Sequence, residues 1–140
     1  MRLIPFDPAH LFAFEAQAPQ KPGVQWHTPE IAEAAALHFS WTGIASDGEI
    51  VGCAGIAPYD HGLVAWAQFS ERLFEHRLAV TRAVKNGLAL HSASRVEAHI
   101  DPEHAKAARF AGALNFRFEQ VRCDLRPDGA PMLVYVREGA

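Results

Sequence analysis

The chain has 140 residues, the commonest size for one domain, and a single core of that length buries roughly two-thirds of the unfolded surface, so one domain over 1–140 is expected. Hydrophobic residues make up 49% and charged residues 21%, which excludes disordered and fibrous classes. A net charge of −3 with a pI near 6.2 supplies no broad positive field and speaks against nucleic acid as a partner.

In chain order, residues 2–6 read as a first strand. Asp7-Pro8 then supplies a cap and a proline at the first helical position, predicting a helix through about residue 15. Residues 17–27, with Pro19, Pro22 and Gly23, read as a loop. Thr28-Pro29 repeats the cap-then-proline signal and opens an Ala-rich helix toward residue 39, with Ile31, Ala34, Ala35 and His38 on one face. Residues 40–46 and 49–59 are β-rich and flank Asp47-Gly48, the dipeptide of a type I′ hairpin turn. A turn at Asp60-His61-Gly62 leads into a third strand over 63–69. Gly52 and Gly55 inside the second strand indicate a bulge or a close backbone approach.

From Ser70 the pattern turns helical, with Phe74, Leu78, Thr81, Val84 and Leu88 at core spacing and Arg77, Arg82 and Lys85 turned elsewhere. Residues 95–101 form the next strand and 103–114 the next helix. Residues 116–125 and 132–138 then pair across the turn Arg126-Pro127-Asp128-Gly129. The order is β-α-α-β-β-β-α-β-α-β-β, an α/β (α+β) arrangement.

Residues 96–116, Val-Glu-Ala-His-Ile-Asp-Pro-Glu-His-Ala-Lys-Ala-Ala-Arg-Phe-Ala-Gly-Ala-Leu-Asn-Phe, read strand, turn, short helix and aromatic restart. This stretch resembles the closing half of the GNAT N-acetyltransferases, where an Ala-Arg-rich helix ends in a Leu-Gly-Phe-like tripeptide, here Leu114-Asn115-Phe116. With the element order, the resemblance covers essentially the whole chain, and it is nearest to small GNAT-like proteins of tailed phages. It implies a mixed, mostly antiparallel sheet flanked by helices. It also implies acetyl-CoA as co-substrate, lying where the fourth strand splays from the fifth, with its pyrophosphate over the N-terminus of the following helix.

The same resemblance assigns residues. The fourth-strand backbone at Ala67, Gln68 and Phe69 would hold pantetheine, and Arg72, His76 and Arg77 would pair with phosphate. Counting back without gaps from Ile100 puts Arg72 first in the family's Gln/Arg-x-x-Gly-x-Gly/Ala turn, with Glu75 and Arg77 at its two glycine positions. Glu75 sets a carboxylate beside the diphosphate. His104 stands where the family has asparagine, and Ala111 where it has the tyrosine that protonates the CoA thiolate. The competing reading of 72–77 is a solvated face of an amphipathic helix.

On the fifth strand Glu97, His99 and Asp101 alternate with Val96, Ala98 and Ile100, so the polar trio shares one face. Glu97 or His99 is the candidate base for an amine, against the plainer reading of a solvent-facing strand. Tyr59, Asp60 and His61 could line a substrate mouth or simply make a turn. Two function classes follow: an acetyltransferase acting on a small-molecule or protein amine, and a GNAT scaffold without catalysis that serves as a phage assembly or partner-binding component. A homodimer or a phage structural protein is the further partner either class allows.

Cys53 and Cys123 lack any C-x-x-C partner, and Gly52-Cys53-Ala54-Gly55 is no nucleophile elbow, so Cys53 reads as a core residue in a reducing cytoplasm. The histidines are too scattered for a metal site. Trp26, Trp41 and Trp66 read as core, not as a base-stacking platform. No signal-peptide run opens the chain and no window reaches the ~18 apolar residues of a membrane span, so a soluble protein is expected.

Overall fold

The computed structural model describes residues 1–59 and 62–138. The expected turn at Asp60 and His61 lies outside the described residues. Among the described residues seven strands form one sheet in the order β1-β2-β3-β4-β5-β7-β6, with β1 at Arg2–Pro5, β2 at Ser40–Ile44, β3 at Ile50–Tyr59, β4 at Gly62–Phe69, β5 at Val96–Ile100, β6 at Arg117–Arg122 and β7 at Met132–Arg137. The pairs β1–β2, β2–β3, β5–β7 and β6–β7 are antiparallel, and β4–β5 is parallel over three residue pairs, Leu63↔Val96 to Ala65↔Ala98. This is the mixed, mostly antiparallel sheet expected. The chain clusters into two compact units, Met1–Ala57 with Trp66–Ala89 and Pro58–Ala65 with Leu90–Ala140, and β3 and β4 run through both.

In the first unit residues 51–56 of β3 are all buried, the continuous apolar run of a strand covered on both faces. Trp41, Val51, Ala54, Phe69, Val80 and Ala83 form one cluster, and Phe6, Leu11, Ala32 and Cys53 form another. The expected first helix is a single 3₁₀ turn, Pro8–Phe12. Asp7 caps it as foreseen, but its bonds span three residues (His10 N–H to Asp7 O, 2.8 Å; Ala13 N–H to His10 O, 3.1 Å) and no α-type ladder follows. Within the expected loop, Ala18–Gln20 is a 3₁₀ turn and Lys21–Val24 a single helical turn, α1. Helix α2 (Pro29–Ala36) starts on the Thr28 cap, yet it buries Ala32 and packs Ala35 and Ala36, while Ile31 is 52% exposed.

The helix expected from Ser70 begins at Arg77 instead. Ser70 is buried and tied to β3: its N–H donates to Val51 O (2.9 Å) and its hydroxyl reaches Ile50 O and Val51 O. The following residues therefore wind as a 3₁₀ turn, Glu71–Glu75, and α3 occupies Arg77–Ala89. That change of winding rotates the core face to Val80, Ala83, Gly87 and Leu88 and leaves Leu78 82% exposed. Gly87 leaves room for Phe39, since a Cβ there would sit 2.7 Å from its ring and one of the two would have to shift.

The β2–β3 connection also departs from expectation. Only Gly48 of the Asp47-Gly48 pair has positive φ (89°), with its N–H on Ala45 O at 2.9 Å, whereas type I′ requires positive φ at both positions. The register shifts between Gly43 and Ile44, so the extra residue is absorbed as a bulge.

In the second unit Val96 and Ile100 of β5 are buried, as are Val134 and Val136 of β7. Helix α4 (Ala105–Ala113) closes with Asn115 N–H on Gly112 O and Phe116 N–H on Ala111 O, and Asn115 takes φ 71°. This is a Schellman ending, and asparagine is the residue besides glycine that best tolerates it. It accounts for Leu114-Asn115-Phe116. Asn115→Ala is expected to lower stability by up to about 1–2 kcal/mol in chemical denaturation, because the short polar side chain offsets the left-handed penalty by local hydrogen bonding and a methyl cannot; an unchanged midpoint would contradict this account of the turn.

Candidate active site

Parity along β4 decides where Ala67, Gln68 and Phe69 present their peptide groups. Ser70 N–H bonds Val51 on β3, and a Cβ on Gly52 would lie 2.6 Å from Gln68 O, so even-numbered residues face β3. Leu63 N–H, of the other parity, donates to Arg95 O. Ala67 and Phe69 therefore direct N–H and C=O to the edge away from β3. Phe69 is 6% exposed and Gln68, also buried, has an Nε2 without a hydrogen-bond partner; Ala67 is exposed.

That edge is engaged within the first unit. Phe69 N–H donates to Gln20 Oε1 (2.8 Å), Gln20 Nε2 donates to Ala67 O (3.1 Å), and Gln17 N–H donates to Phe69 O (2.9 Å). Sequence reasoning missed both glutamines. Their only signal was two amides three residues apart in a proline-rich loop.

Of the expected phosphate ligands, the two arginines are each engaged separately. Arg72 pairs with Asp47 (Nη1–Oδ2, 2.9 Å) and with Glu75. Glu75 and Asp47 together hold the Arg72 guanidinium above its ordinary range, and the Glu49 N–H followed by Arg72 holds the Asp47 carboxyl below its own. The Arg77 guanidinium lies 5.3 Å over the Phe74 ring centroid, a cation–π distance. His76 has a buried Nε2 without a hydrogen-bond partner.

On β5 of the second unit the expected polar face is present. His99 Nε2 lies 2.9 Å from Glu97 Oε1, with the two side chains 17% and 16% exposed. Arg95 Nη2 sits 3.4 Å from Glu97 Oε2 and 2.6 Å from Glu119, and so braces the carboxylate. The Tyr59 ring meets the His99 ring edge-on at 5.0 Å. Asp101 accepts the Glu103 N–H (2.8 Å) and lies 3.4 Å from Arg126, which makes it a turn residue. Glu97 and His99 are thus a fixed carboxylate–imidazole pair.

His104 is the N-cap of α4 without a side-chain cap bond, and Ala111 is buried. Burial pushes the imidazoles of His104 and His27 below their ordinary range. Both are lowered in the fold, so the unfolded chain takes up protons first as pH falls. The stability they contribute is complete above about pH 6.5 and is lost as pH drops toward their folded values. We expect a lower urea midpoint at about pH 5.5 than at about pH 7.5, and a smaller difference in a His27→Gln/His104→Gln double variant. An equal difference in that variant would remove these two residues from the account.

Cys53 and Cys123 are both free. Cys53 is fully buried, burial pushes its thiol up to about 11, and it touches Thr42 Oγ1 at 3.5 Å. Cys123 is exposed. A thiol reagent is expected to modify one cysteine in the native protein and both after denaturation; rapid native labelling of Cys53 would contradict its burial. Among the described residues no three His, Cys, Asp or Glu side chains are grouped so as to hold a metal ion, and no helix is long and apolar enough to cross a membrane.

No family model matches the chain, and no curated protein does. Solved structures do. Ard1 from Thermoplasma volcanium superposes with a TM-score of 0.75 at 12% identity, covering 99% of this chain and 97% of that one. Aminoglycoside 6′-acetyltransferase type Ii gives 0.68 at 14% identity over 99% and 97%. A GNAT-family acetyltransferase from Bacillus anthracis gives 0.66 at 16% over 97% and 93%. At these identities the likeness establishes the architecture: the chain has the fold of the GNAT acetyltransferases.

Proposed function

We propose that the protein is an acetyl-CoA-dependent N-acetyltransferase acting on an amine carried by a small molecule or a protein. The observation that carries the reading is the Glu97–His99 pair, 2.9 Å apart on a central strand of a GNAT-type fold. Transfer forms an amide C–N bond, breaks the thioester C–S bond and releases a proton from the acceptor nitrogen. With His99 Nε2–H donated to Glu97, the Nδ1 lone pair is left to take that proton, and the carboxylate stabilises the imidazolium that results. The β4 peptide groups at Ala67 and Phe69 offer a donor and acceptors to the pantetheine arm, and Arg72, His76 and Arg77 supply cationic or donor groups for phosphate. Ala111 has no proton to give, so the reading assigns the thiolate no protein acid and lets it take its proton from water. A phage-related, cytoplasmic protein is part of the same proposal, supported by the glycine-free turn at 72–77 and the two free thiols.

Calorimetric titration with acetyl-CoA tests it. A micromolar dissociation constant, about −8 kcal/mol, with thiol release on adding a panel of amines, is the expected result. No heat at millimolar ligand would overturn it and favour the second reading, a scaffold without catalysis. Two observations support that alternative: Gln17 and Gln20 already occupy the β4 edge, and Arg72 is already paired with Asp47 and Glu75.

A further inference from the structure

The contact between Gln20 and β4 has the form of a peptide pairing. One primary amide accepts from Phe69 N–H through Oε1 (2.8 Å) and donates to Ala67 O through Nε2 (3.1 Å), as a backbone amide of an added strand would. The segment that delivers it is anchored independently. Gln17, 5% exposed, donates its N–H to Phe69 O (2.9 Å) and its side-chain amide to Ser70 O (3.3 Å). The Gln20 and Lys21 N–H groups fold back on Gln17 O at 2.9 and 3.1 Å, and Pro19 and Pro22 restrict the chain on either side. Gln20 itself is only half-buried, so its side chain can swing to solvent while Gln17 keeps the loop in place.

We infer that Gln20 is a built-in amide surrogate: its side chain holds the β4 edge, yields it to a ligand amide, and so competes with ligands that serve Ala67 O and Phe69 N–H together. The inference rests on the acetyl-CoA reading, because the pantetheine arm carries two secondary amides. Exchanging one amide for another leaves every polar group paired. A ligand without an amide that displaced Gln20 would orphan the Phe69 N–H, and an unsatisfied buried donor costs more than a typical hydrogen bond contributes. The competing side chain therefore weakens amide-bearing ligands moderately and leaves amide-free ligands nothing to gain at this edge.

Gln20→Met keeps the volume of the side chain and removes both bonds. We expect Phe69 amide exchange to accelerate at least tenfold in the variant, and acetyl-CoA to bind about tenfold more tightly than to the wild type, the worth of one to two net hydrogen bonds. ADP, which has the diphosphate and no amide, should bind both proteins alike. Equal or weaker acetyl-CoA binding by Gln20→Met, with binding measurable in the wild type, would overturn the surrogate role and leave the cofactor reading standing. An equal gain for ADP would also overturn it, by showing that the amide is not what competes. If neither protein binds acetyl-CoA while Phe69 exchange still accelerates, the cofactor reading fails and the inference falls with it, through a different result.

Discussion

His99→Ala is expected to lower the rate of acetyl transfer by about 10²–10⁴-fold, the usual worth of a positioned base. The imidazole has one nitrogen 2.9 Å from the Glu97 carboxylate and its ring against Tyr59, so its orientation is fixed from two sides. Removing it leaves only the Glu97 carboxylate of this pair on the strand face, and that group is already engaged by Arg95. Glu97→Gln should act through His99, because an amide can still meet the ring but cannot offset the imidazolium charge, and its loss should be smaller and largest in kcat. The distinguishing readout is the split between kcat and KM: His99→Ala should lose kcat while KM for acetyl-CoA and the melting temperature stay unchanged. If both variants retain full activity, the β5 pair is a structural ion pair and the base lies elsewhere.

Gly52→Ala carries the largest expected effect on stability. A Cβ at Gly52 would strike the Phe69 ring and stand 2.6 Å from Gln68 O and 2.9 Å from Phe69 Cα. Two of these are backbone atoms, so no flexible side-chain end can move aside, and β3 would have to separate from β4 in the middle of the apolar cluster. The expected loss is about 1–3 kcal/mol or more, read as a lower urea midpoint at constant slope. Gly112→Ala on the exposed face of α4 is the control, since nothing lies within 4 Å of the added methyl and the helix should gain up to about 1 kcal/mol. Equal midpoints for the two variants would remove the close approach of β3 and β4 from the account. The displaced Phe69 should also weaken acetyl-CoA binding, because its N–H is one of the proposed contacts.

Strands and the turn of the last hairpin were readable from the chain because their signals are local. Gly129 (φ 74°) closes the last hairpin where the Asp128-Gly129 pair stands, and Val96 and Ile100 face inward as their alternation implies. The carboxylate–imidazole pair was readable for the same reason, since side chains two residues apart on a strand share a face. Helix phase was less accessible. Ser70 bonds to Val51, a partner 19 residues away, which turns the next five residues into a 3₁₀ winding and moves the buried face from Leu78 to Val80. Ile31 and Ala32 show the same limit, as hydrophobicity favours burying the isoleucine and packing selects the alanine. The occupation of the β4 edge was not legible at all. Gln20 finds its partners 47 and 49 residues onward, and nothing around it announces them.

The proposed function requires acetyl-CoA to bind at the Ala67–Phe69 edge of β4. The most direct measurement is backbone amide NMR of the uniformly labelled protein during titration with acetyl-CoA. The Phe69 N–H resonance and the Gln20 side-chain NH₂ pair are expected to shift together and saturate with one dissociation constant, as one amide replaces another. Saturable binding that leaves both signals in place would contradict it.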